Sequence, residues 1–493
     1  MNSIGRNAMA DSNLAPEKSF VFDFVDRNAE AIATIGDSVF YFGELGMQEV
    51  ESAKLMTETL EKEGFSVERG ISGFPTGFCA SYGSGEPVIA LHTEYDANPN
   101  NSQASGETEQ KNITTYGPGH CEGHNCNAAV MVSGAIAAKR AIDEFGLEGT
   151  LKVFGAPGEE QLISRPYYVR DGWFDDVDVA IHDHIGGDMA TVYGLTHSAA
   201  VSAYFTFKGE TAHASTAPWR ARDALDGFVL MDMGMAQFRE HMEPDMRAHR
   251  VIKDGGDQPN TIPAKAMVWW TFRAPTAEGA RKVFEQGKKI AEGAAMMTNT
   301  EVDIEVMSAV WPVRTNQGLA EVVQGNLDLV GVPEWTDDEQ SFAEELQKAA
   351  NVTPEGLRTE VKPLLGPTAQ RAPSNDCGDV SWKVPMGRVG FPSNVPNVPF
   401  HHWAGGAALA TTIAHKGSVA GAKTLAGTVV DLLSNPALVQ RAKDTFAEEI
   451  GDVVYKPLIP ADQKPPVDLN REMMEAFRKP MSEHYVKEKP EFV

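Results

Sequence analysis

The stretch LKVFGAPGEEQ, residues 151–161, indicates the fold class because a short apolar run ends abruptly in Gly-Ala-Pro-Gly and two adjacent carboxylates. A buried strand that stops there places Glu159 and Glu160 at the carboxyl edge of a sheet, where open α/β sheets bind their ligands. In metal-assisted hydrolysis, one carboxylate can bind the cation while the other takes the proton from its water. If the strand continued through the pair, the two side chains would point in opposite directions, which suits that division. The alternative is a solvated surface turn.

Three other strand-like runs also end in residues that bind metals: 87–99 (PVIALHTEYDANP), 177–187 (VDVAIHDHIGG) and 395–406 (VPNVPFHHWAGG). A Gly-rich loop at 117–125 (GPGHCEGHN) opens a long apolar helix and adds further imidazole, thiol and carboxylate groups. Seven of the 13 histidines lie at these element ends: His92, His120, His124, His182, His184, His401 and His402. Because imidazole, thiolate and carboxylate are the ligands of zinc, manganese and cobalt, the sequence predicts a divalent-metal site.

The composition is that of a large globular protein with a strong negative charge. The chain has 493 residues, 42% of them hydrophobic and 23% charged, and a formal net charge of −26. Such a charge argues against a nucleic-acid partner, whose phosphates need a basic face. The N-terminus lacks an apolar signal region and no apolar run is long enough to span a membrane, so we expect a cytoplasmic protein without a membrane partner. Four cysteines in so long a chain do not indicate a disulfide framework.

The periodicity of apolar residues divides the chain. From 18 to 195, helical and strand patterns alternate as a βαβ sheet requires. From about 199 to 310, the order strand, helix, strand, helix, strand fits a small α+β unit of the ferredoxin-like type. Residues 333–374 are polar, acidic and contain prolines, which indicates an insertion. We therefore predict an α/β domain with a mainly parallel sheet flanked by helices, formed by 1–198 and 311–493 and interrupted by the unit at 199–310.

Eight short strings give the chain a family resemblance: EYDA, GHCEGHN, GAPGEE, FDDVDVAIHDH, KGETAHAS, PNTIPAKA, GDVSWKVP and IAHKG. They run in family order from about residue 20 to 435. With them the chain resembles the aminoacylase and hippurate-hydrolase superfamily of two-metal peptidases, and most closely its aminobenzoyl-glutamate hydrolase branch. The resemblance implies that the α/β domain is catalytic and that the unit at 199–310 is a lid that also forms a homodimer.

The resemblance also implies a role for individual residues. The implied metal ligands are His124, Glu160, His184 and His401, and the implied general base is Glu159. In the lid, His213 would reach the active site of the neighbouring subunit and stabilise the tetrahedral intermediate. Asn260 and Arg273, also in the lid, would hold the carboxylate or the polarised oxygen of the substrate.

The chemistry of three of these positions leaves alternatives open. Asp96 follows a buried strand and suits an acceptor that orients a ligand imidazole, although strand-end turns also favour Asp. Arg273 suits a bidentate clamp on a carboxylate, or else a structural ion pair. His213, flanked by small residues, is either catalytic or a packed loop histidine.

The sequence departs from the family at the Gly-rich loop. The hippurate-hydrolase branch has a cysteine two positions before the ligand histidine, and here that position is Glu122, with Cys121 one place earlier. A carboxylate ligand at Glu122 would favour manganese over zinc because its oxygen is harder than a thiolate. Alternatively, Cys121 swings in, or the second metal is missing. We expect one or two divalent ions, manganese or zinc.

Three functions are compatible with these observations. The leading hypothesis is a metal-dependent amidohydrolase that cleaves the amide bond of an N-acyl or N-aroyl amino acid. The second is a metal-dependent aminohydrolase that attacks an aromatic or other C–N bond and releases ammonia. The third, a binding protein that has lost its metal, is disfavoured because the ligand types are retained.

Overall fold

The computed structural model describes residues 14–493, apart from the side chains of 369–372. The strands are β1 (Ser66–Arg69), β2 (Phe78–Ser84), β3 (Val88–Thr93), β4 (Gly149–Gly155), β5 (Val179–Ile185), β6 (Val192–His197), β7 (Ala199–Lys208), β8 (Arg247–Asp254), β9 (Lys265–Ala274), β10 (Glu301–Val310), β11 (Arg314–Thr315), β12 (Leu365–Ala372) and β13 (Met386–Phe391). The helices are α1 (Pro16–Arg27), α2 (Ala29–Phe42), α3 (Val50–Lys62), α4 (His124–Phe145), α5 (Ser164–Arg170), α6 (Ala224–Phe238), α7 (Ala277–Thr298), α8 (Gln317–Val330), α9 (Asp337–Ala349), α10 (Gly378–Lys383), α11 (Trp403–Gly406), α12 (Thr412–Ser434), α13 (Pro436–Ile450) and α14 (Arg471–Met481).

The largest sheet has six strands in the order β1-β2-β4-β3-β5-β13. β4, β3, β5 and β13 run parallel, while β1 and β2 form an antiparallel edge. The parallel strands are short apolar runs because both faces are covered: Ile89, Leu91, Val153 and Ile181 are fully buried. α4 and α12 pack on one face as long helices rich in small residues. The predicted fold class, a mainly parallel sheet flanked by helices, is confirmed.

The lid, residues 199–310, forms an antiparallel sheet in the order β10-β7-β9-β8. α6 and α7 pack on this sheet, and Trp270, Phe205 and Phe272 are fully buried in the core that they share. Three strands and both helices follow the predicted pattern, whereas β8 was not predicted. Its sequence, RAHRVIKD, exposes most of its residues, so it lacks the alternation that reveals a half-buried strand.

A third sheet, in the order β11-β6-β12, combines β6, which precedes the lid in sequence, with β11 and β12, which follow it. The segment 333–374, which we expected as an insertion, contains α9 and β12. β12 pairs in parallel with β6, which directly precedes the lid strand β7. This segment therefore adds a strand to the structure next to the point where the lid begins.

The Pro-rich tail after residue 451 contacts distant parts of the chain. The backbone oxygen of Lys456 accepts a hydrogen bond of 2.8 Å from the Trp311 indole. Arg478 in α14 pairs with the buried Glu44, and the backbone nitrogen of Val493 donates to Asn28 at 2.7 Å. Among residues 14–493, no helix combines the length and apolarity that a membrane crossing requires.

Candidate metal centre and active site

The carboxyl edge of the six-stranded sheet gathers the predicted site. β3 ends just before Glu94 and Asp96, α4 begins at His124, and His184 lies near the end of β5. β4 ends at Gly155, so the strand does not continue through the Glu pair as the simplest interpretation assumed. Instead, Gly158 adopts a left-handed φ of 69° and starts a single tight turn that carries Glu159 and Glu160.

Five predicted ligands come together at this edge; we call Glu122, His124, Glu160, His184 and His401 the ligand group. One potential ligand atom from each of Glu122, His124 and Glu160 lies within 4.8 Å of the other two. The same spacing holds for Glu94, His124 and His184, so His124 belongs to both clusters. His401 closes the group because its Nε2 lies 2.6 Å from Glu122 Oε2 and 3.3 Å from Glu160 Oε2.

His124 is oriented by the strand end beside it. Its Nδ1 lies 3.1 Å from the backbone oxygen of Asp96 and 3.2 Å from Asp96 Oδ1. Two oxygen acceptors require that Nδ1 carry the hydrogen, which leaves Nε2 as a lone-pair donor. Nε2 is buried and has no hydrogen-bond partner among residues 14–493. An orphaned imidazole nitrogen facing carboxylates is what a divalent cation would satisfy, so the residues present fit a metal ion.

The acids of the site also favour a bound positive charge. Burial, and then the neighbouring Glu122, raises the pKa of Glu160 to about 7. Burial also raises the pKa of Glu159 well above its usual range; His124 opposes the shift, and the charges of Glu94 and Glu160 add to it. Glu159 Oε2 lies 3.6 Å from His124 Nε2, at the border of the ligand group. A divalent cation there would relieve the repulsion between these carboxylates.

The Gly-rich loop places Glu122 and Cys121 differently. Glu122 lines the cleft and belongs to the ligand group, next to His401. Cys121 is fully buried, and its Sγ accepts a hydrogen bond of 3.4 Å from Asn98 Nδ2. Burial, followed by the charge of Glu160, raises the pKa of the Cys121 thiol, which disfavours the thiolate that a metal would need.

Glu94 is the residue to which the sequence analysis assigned no role. Its Oε1 lies 3.9 Å from His184 Nε2 and 3.0 Å from His182 Nε2. Behind it, the fully buried Arg165 pairs with both Glu94 and Asp376. Although burial alone would raise the pKa of Glu94, His182 and the Arg165 guanidinium hold it well below its usual range. The strand-end position of Glu94 was visible in the sequence, but its distant ionic partners were not.

Two of the seven singled-out histidines lie outside the site. His120 Nε2 is 3.0 Å from the backbone oxygen of Val39 in α2. The side chain of His402 accepts a hydrogen bond of 3.3 Å from the backbone nitrogen of Ala404 and so caps α11. His92 is buried behind the ligand group, where its ring stacks on His182 with centroids 5.1 Å apart.

A cleft of about 780 Å³ opens beside the ligand group. Its walls include Glu159, His197 of β6, Arg273 of the lid strand β9 and Arg388 of β13. Arg273 Nη1 is buried without a hydrogen-bond partner in the described part of the chain. Burial lowers the pKa of Arg273, and the negative charge of Glu159 acts against that shift. The clamp predicted at Arg273 and the base predicted at Glu159 therefore face one cavity.

His213 and Asn260 lie elsewhere. Both side chains are exposed, and neither residue lines the cleft. The backbone nitrogen of Ala214 donates to the Asn260 backbone oxygen at 3.0 Å, and His213 Nδ1 accepts from the Ser215 backbone nitrogen at 3.2 Å. A single chain therefore brings these two residues near one another but not to the ligand group.

Comparison with known proteins identifies relatives of this architecture. A model of the M20 peptidase dimerisation domain matches residues 195–296. One of the two p-aminobenzoyl-glutamate hydrolase subunits of Escherichia coli is 33% identical over 90% of this chain and 98% of its own length. The human Xaa-Arg dipeptidase is 25% identical over 86% of this chain and 90% of its own.

A crystal structure from Bacillus subtilis, described as a dinuclear metal-binding peptidase of the M20 family, shares the fold. It superimposes with a TM-score of 0.51 and 18% identity, covering 83% of this chain and 99% of that one. The metal-ligand clusters described above occupy the sheet edge of the same fold. With a 33% identical relative aligned over almost its entire length, the chain belongs to the M20 peptidase family and is a metal-dependent hydrolase of C–N bonds.

Proposed function

We propose that the protein is an amidohydrolase that cleaves the amide bond of an N-acyl or N-aroyl amino acid, with aminobenzoyl-glutamate as the type of compound. One observation carries the proposal: the Glu159 carboxylate lies beside the ligand group and lines the same cleft as Arg273, whose Nη1 has no hydrogen-bond partner among the described residues. A proton acceptor next to a metal-binding cluster, facing a carboxylate-binding cation, is the arrangement that hydrolysis of an acylated amino acid needs.

The ligand group would hold one or two divalent ions through Glu122, His124, Glu160, His184 and His401. Such an ion lowers the pKa of water and polarises a carbonyl oxygen when it is bound. Because Glu122 replaces the cysteine of the related branch, the set contains only nitrogen and oxygen atoms. We propose manganese as the preferred metal, since hard oxygen ligands suit it better than zinc.

Glu159 acts as the general base in this proposal. Its Oε2 takes the proton of the attacking water and later delivers it to the leaving amine nitrogen. Burial keeps the basicity of the carboxylate high, because the ionised form has few water molecules around it. Asp96 acts as a positioning residue, since it holds the hydrogen-bearing Nδ1 of His124 and directs Nε2 to the ligand group.

We further propose a homodimer formed through the lid. The exposed positions of His213 and Asn260 support it, since neither side chain faces the cleft of its own chain. The match to a peptidase dimerisation domain over residues 195–296 also supports it. In the dimer, His213 would reach the cleft of the neighbouring subunit and stabilise negative charge on the carbonyl oxygen.

The deciding experiment is a substrate panel with two detectors. Metal-loaded protein is incubated with N-aroyl and N-acyl amino acids and with aromatic amines, and both free amino acid and ammonia are measured. The proposal predicts amino acid and acid in equal amounts without ammonia. Chelator-treated protein and the Glu159→Gln variant are the controls. Ammonia release without a free amino acid would instead support the aminohydrolase alternative.

A further inference from the structure

The cleft beside the ligand group is lined by both acidic and basic side chains. Its acidic lining residues are Glu122, Glu159 and Glu160, all of them at the ligand group. Its two arginines are Arg273 and Arg388, and no lysine or aspartate is among the described residues that line it. In a chain with 69 acidic and 43 basic residues, two arginines on one cleft are not an average property of the surface. The two arginines suit an anionic part of the substrate.

Arg388 belongs to the same face of the sheet as the predicted ligand His184. β13 pairs in parallel with β5, with Arg388 opposite His182 and Gly390 opposite His184. Because side chains alternate along a strand, His182, His184 and Arg388 leave the sheet on one side. Arg388 and His184 also line the same cleft.

Among the described residues, the Arg388 guanidinium has no anionic partner. Among the side chains of 14–368 and 373–493, no carboxylate oxygen lies within 4.0 Å of a guanidinium nitrogen of Arg388. The Arg388 side chain also donates no hydrogen bond to these residues. Arg388 is half-buried, so it has lost part of its hydration without gaining a counter-charge. A planar guanidinium in that state is a ready bidentate site for a carboxylate.

The two arginines come from different sheets. Arg273 is on lid strand β9, whereas Arg388 is on β13 of the six-stranded sheet. Arg273 Nη1 is buried and also lacks a partner among the described residues. One arginine can bind a whole carboxylate through two parallel hydrogen bonds. Two arginines held by different sheets on one cleft therefore suit a ligand with two carboxylates better than a ligand with one.

We propose, building on the amidohydrolase function above, that Arg388 binds a second carboxylate of the substrate. The preferred substrates are then N-acyl or N-aroyl derivatives of a dicarboxylic amino acid, with one carboxylate on Arg273 and the other on Arg388. A substrate with a neutral side chain leaves Arg388 without a counter-charge in the occupied cleft, and that penalty is the source of the discrimination.

The test compares N-(4-aminobenzoyl)-L-glutamate with N-(4-aminobenzoyl)-L-glutamine on metal-loaded protein. We expect wild type to prefer the glutamate compound in kcat/KM by about 10- to 100-fold, the value of a charged hydrogen bond. Arg388→Gln should reduce that preference to within a few-fold, mainly through a higher KM for the glutamate compound. Arg388→Lys should retain part of it, because the charge remains while the planar fork is lost.

Arg441→Gln is the matched control. It makes the same charge change on α13, where Arg441 is exposed and pairs with Glu321, and it should keep the full preference. Thermal melting and metal content verify that each variant is folded. Equal cleavage of the two substrates by wild type, or an unchanged preference in Arg388→Gln, would overturn the assignment.

A binding measurement separates this inference from the proposed function. Calorimetry compares L-glutamate with L-glutamine on metal-loaded wild type and on Arg388→Gln. If no N-acyl amino acid is cleaved but glutamate binds more tightly than glutamine only when Arg388 is present, the amidohydrolase proposal fails and the carboxylate site stands. If the amides are cleaved and glutamate has no advantage in binding or turnover, the function stands and the role of Arg388 is refuted.

Discussion

Within one chain, the carboxyl edge of the six-stranded sheet brings its predicted site residues together, whereas the tip of the lid, at His213 and Asn260, does not bring its predicted residues to the cleft. At the sheet edge, the predicted residues are mostly buried and hold one another: Asp96 contacts His124, and His401 contacts Glu122. At the lid tip, His213 and Asn260 are exposed, and their backbone contacts join the two loops that carry them to each other. One chain can therefore bring the predicted metal ligands together by itself, whereas we propose that the lid residues act on a second subunit.

The reason lies in the topology of the two sheets. Parallel strands all have their carboxyl ends at the same edge of the sheet, so residues far apart in sequence come together there. The antiparallel lid sheet has its loops at both ends, so its polar loop residues are divided between two edges. Each side of this contrast can be tested separately by substitution.

The strongest loss of activity is expected at the completed site. Glu159→Gln keeps the size of the side chain but removes the proton acceptor, so kcat should fall by at least ~100-fold. Metal content and melting temperature should stay close to those of wild type, because Glu159 is not among the predicted ligands. Steady-state kinetics and metal analysis of the two proteins measure this. Near-wild-type turnover in the variant would remove Glu159 from the mechanism and leave the sheet edge without its base.

The second prediction tests the incomplete site. His213→Ala and Glu159→Gln should each be inactive alone, because each lacks one part of every active site. In a statistical mixture of exchanging dimers, half of the dimers are hybrids, and each hybrid has one intact site. The mixture should therefore recover about a quarter of the wild-type activity. Mass spectrometry of differently tagged subunits verifies the exchange; verified hybrids without activity would show that His213 does not act across the dimer.

A third, smaller effect concerns metal affinity within the sheet edge. Glu122→Gln removes a charged oxygen from the ligand group and should weaken metal binding by at least ~10-fold. Cys121→Ser should leave the metal in place, because the thiol accepts a hydrogen bond from Asn98 and belongs to neither ligand cluster of the described residues. Metal titration of both variants, with manganese and with zinc, compares them. The opposite result would restore a thiolate site and zinc as its metal.

Much of the sheet edge could be predicted from the sequence because strand ends and ligand types are local signals. The apolar runs before Glu94 and Glu159, and the Gly-rich loop before His124, are each visible within a dozen residues. β8 could not be predicted, since its residues alternate in neither hydrophobicity nor charge. Arg388 could not be predicted for a different reason. Its proposed role depends on its having no carboxylate partner among the described residues, and only the folded structure shows this.

The two buried ion pairs that Arg165 forms with Glu94 and Asp376 also could not be predicted from the sequence. Its three residues are separated by 71 and 211 positions, and no periodicity connects them. Sequence patterns report the polarity of a surface, but an ion pair inside the protein depends on the tertiary arrangement of the elements that carry it. Arg165 and Asp376, which lie behind Glu94, were therefore missed, whereas site residues next to a strand end could be predicted.

The weakest predicted effect lies at the joint between the two regions. Asp379 in α10 is fully buried. Its carboxyl group accepts a hydrogen bond of 3.0 Å from the backbone nitrogen of Trp311, the residue that follows lid strand β10. It also accepts a hydrogen bond of 2.7 Å from the hydroxyl of Tyr455 in the tail. Burial raises the pKa of Asp379 to about 7.

The folded state therefore binds this proton more tightly than the unfolded chain does. The stabilisation is fully present below the unfolded pKa near 4 and is lost as the pH rises through about 7, with a slope of up to about 1.4 kcal/mol per pH unit. Asp379→Asn cannot ionise, so its melting temperature should fall less than that of wild type between pH 5 and pH 8. Asp444→Asn, a change at an exposed position of α13, should follow the wild-type curve. Parallel curves for wild type and Asp379→Asn would mean that the joint between lid and sheet does not sense pH through this carboxyl group.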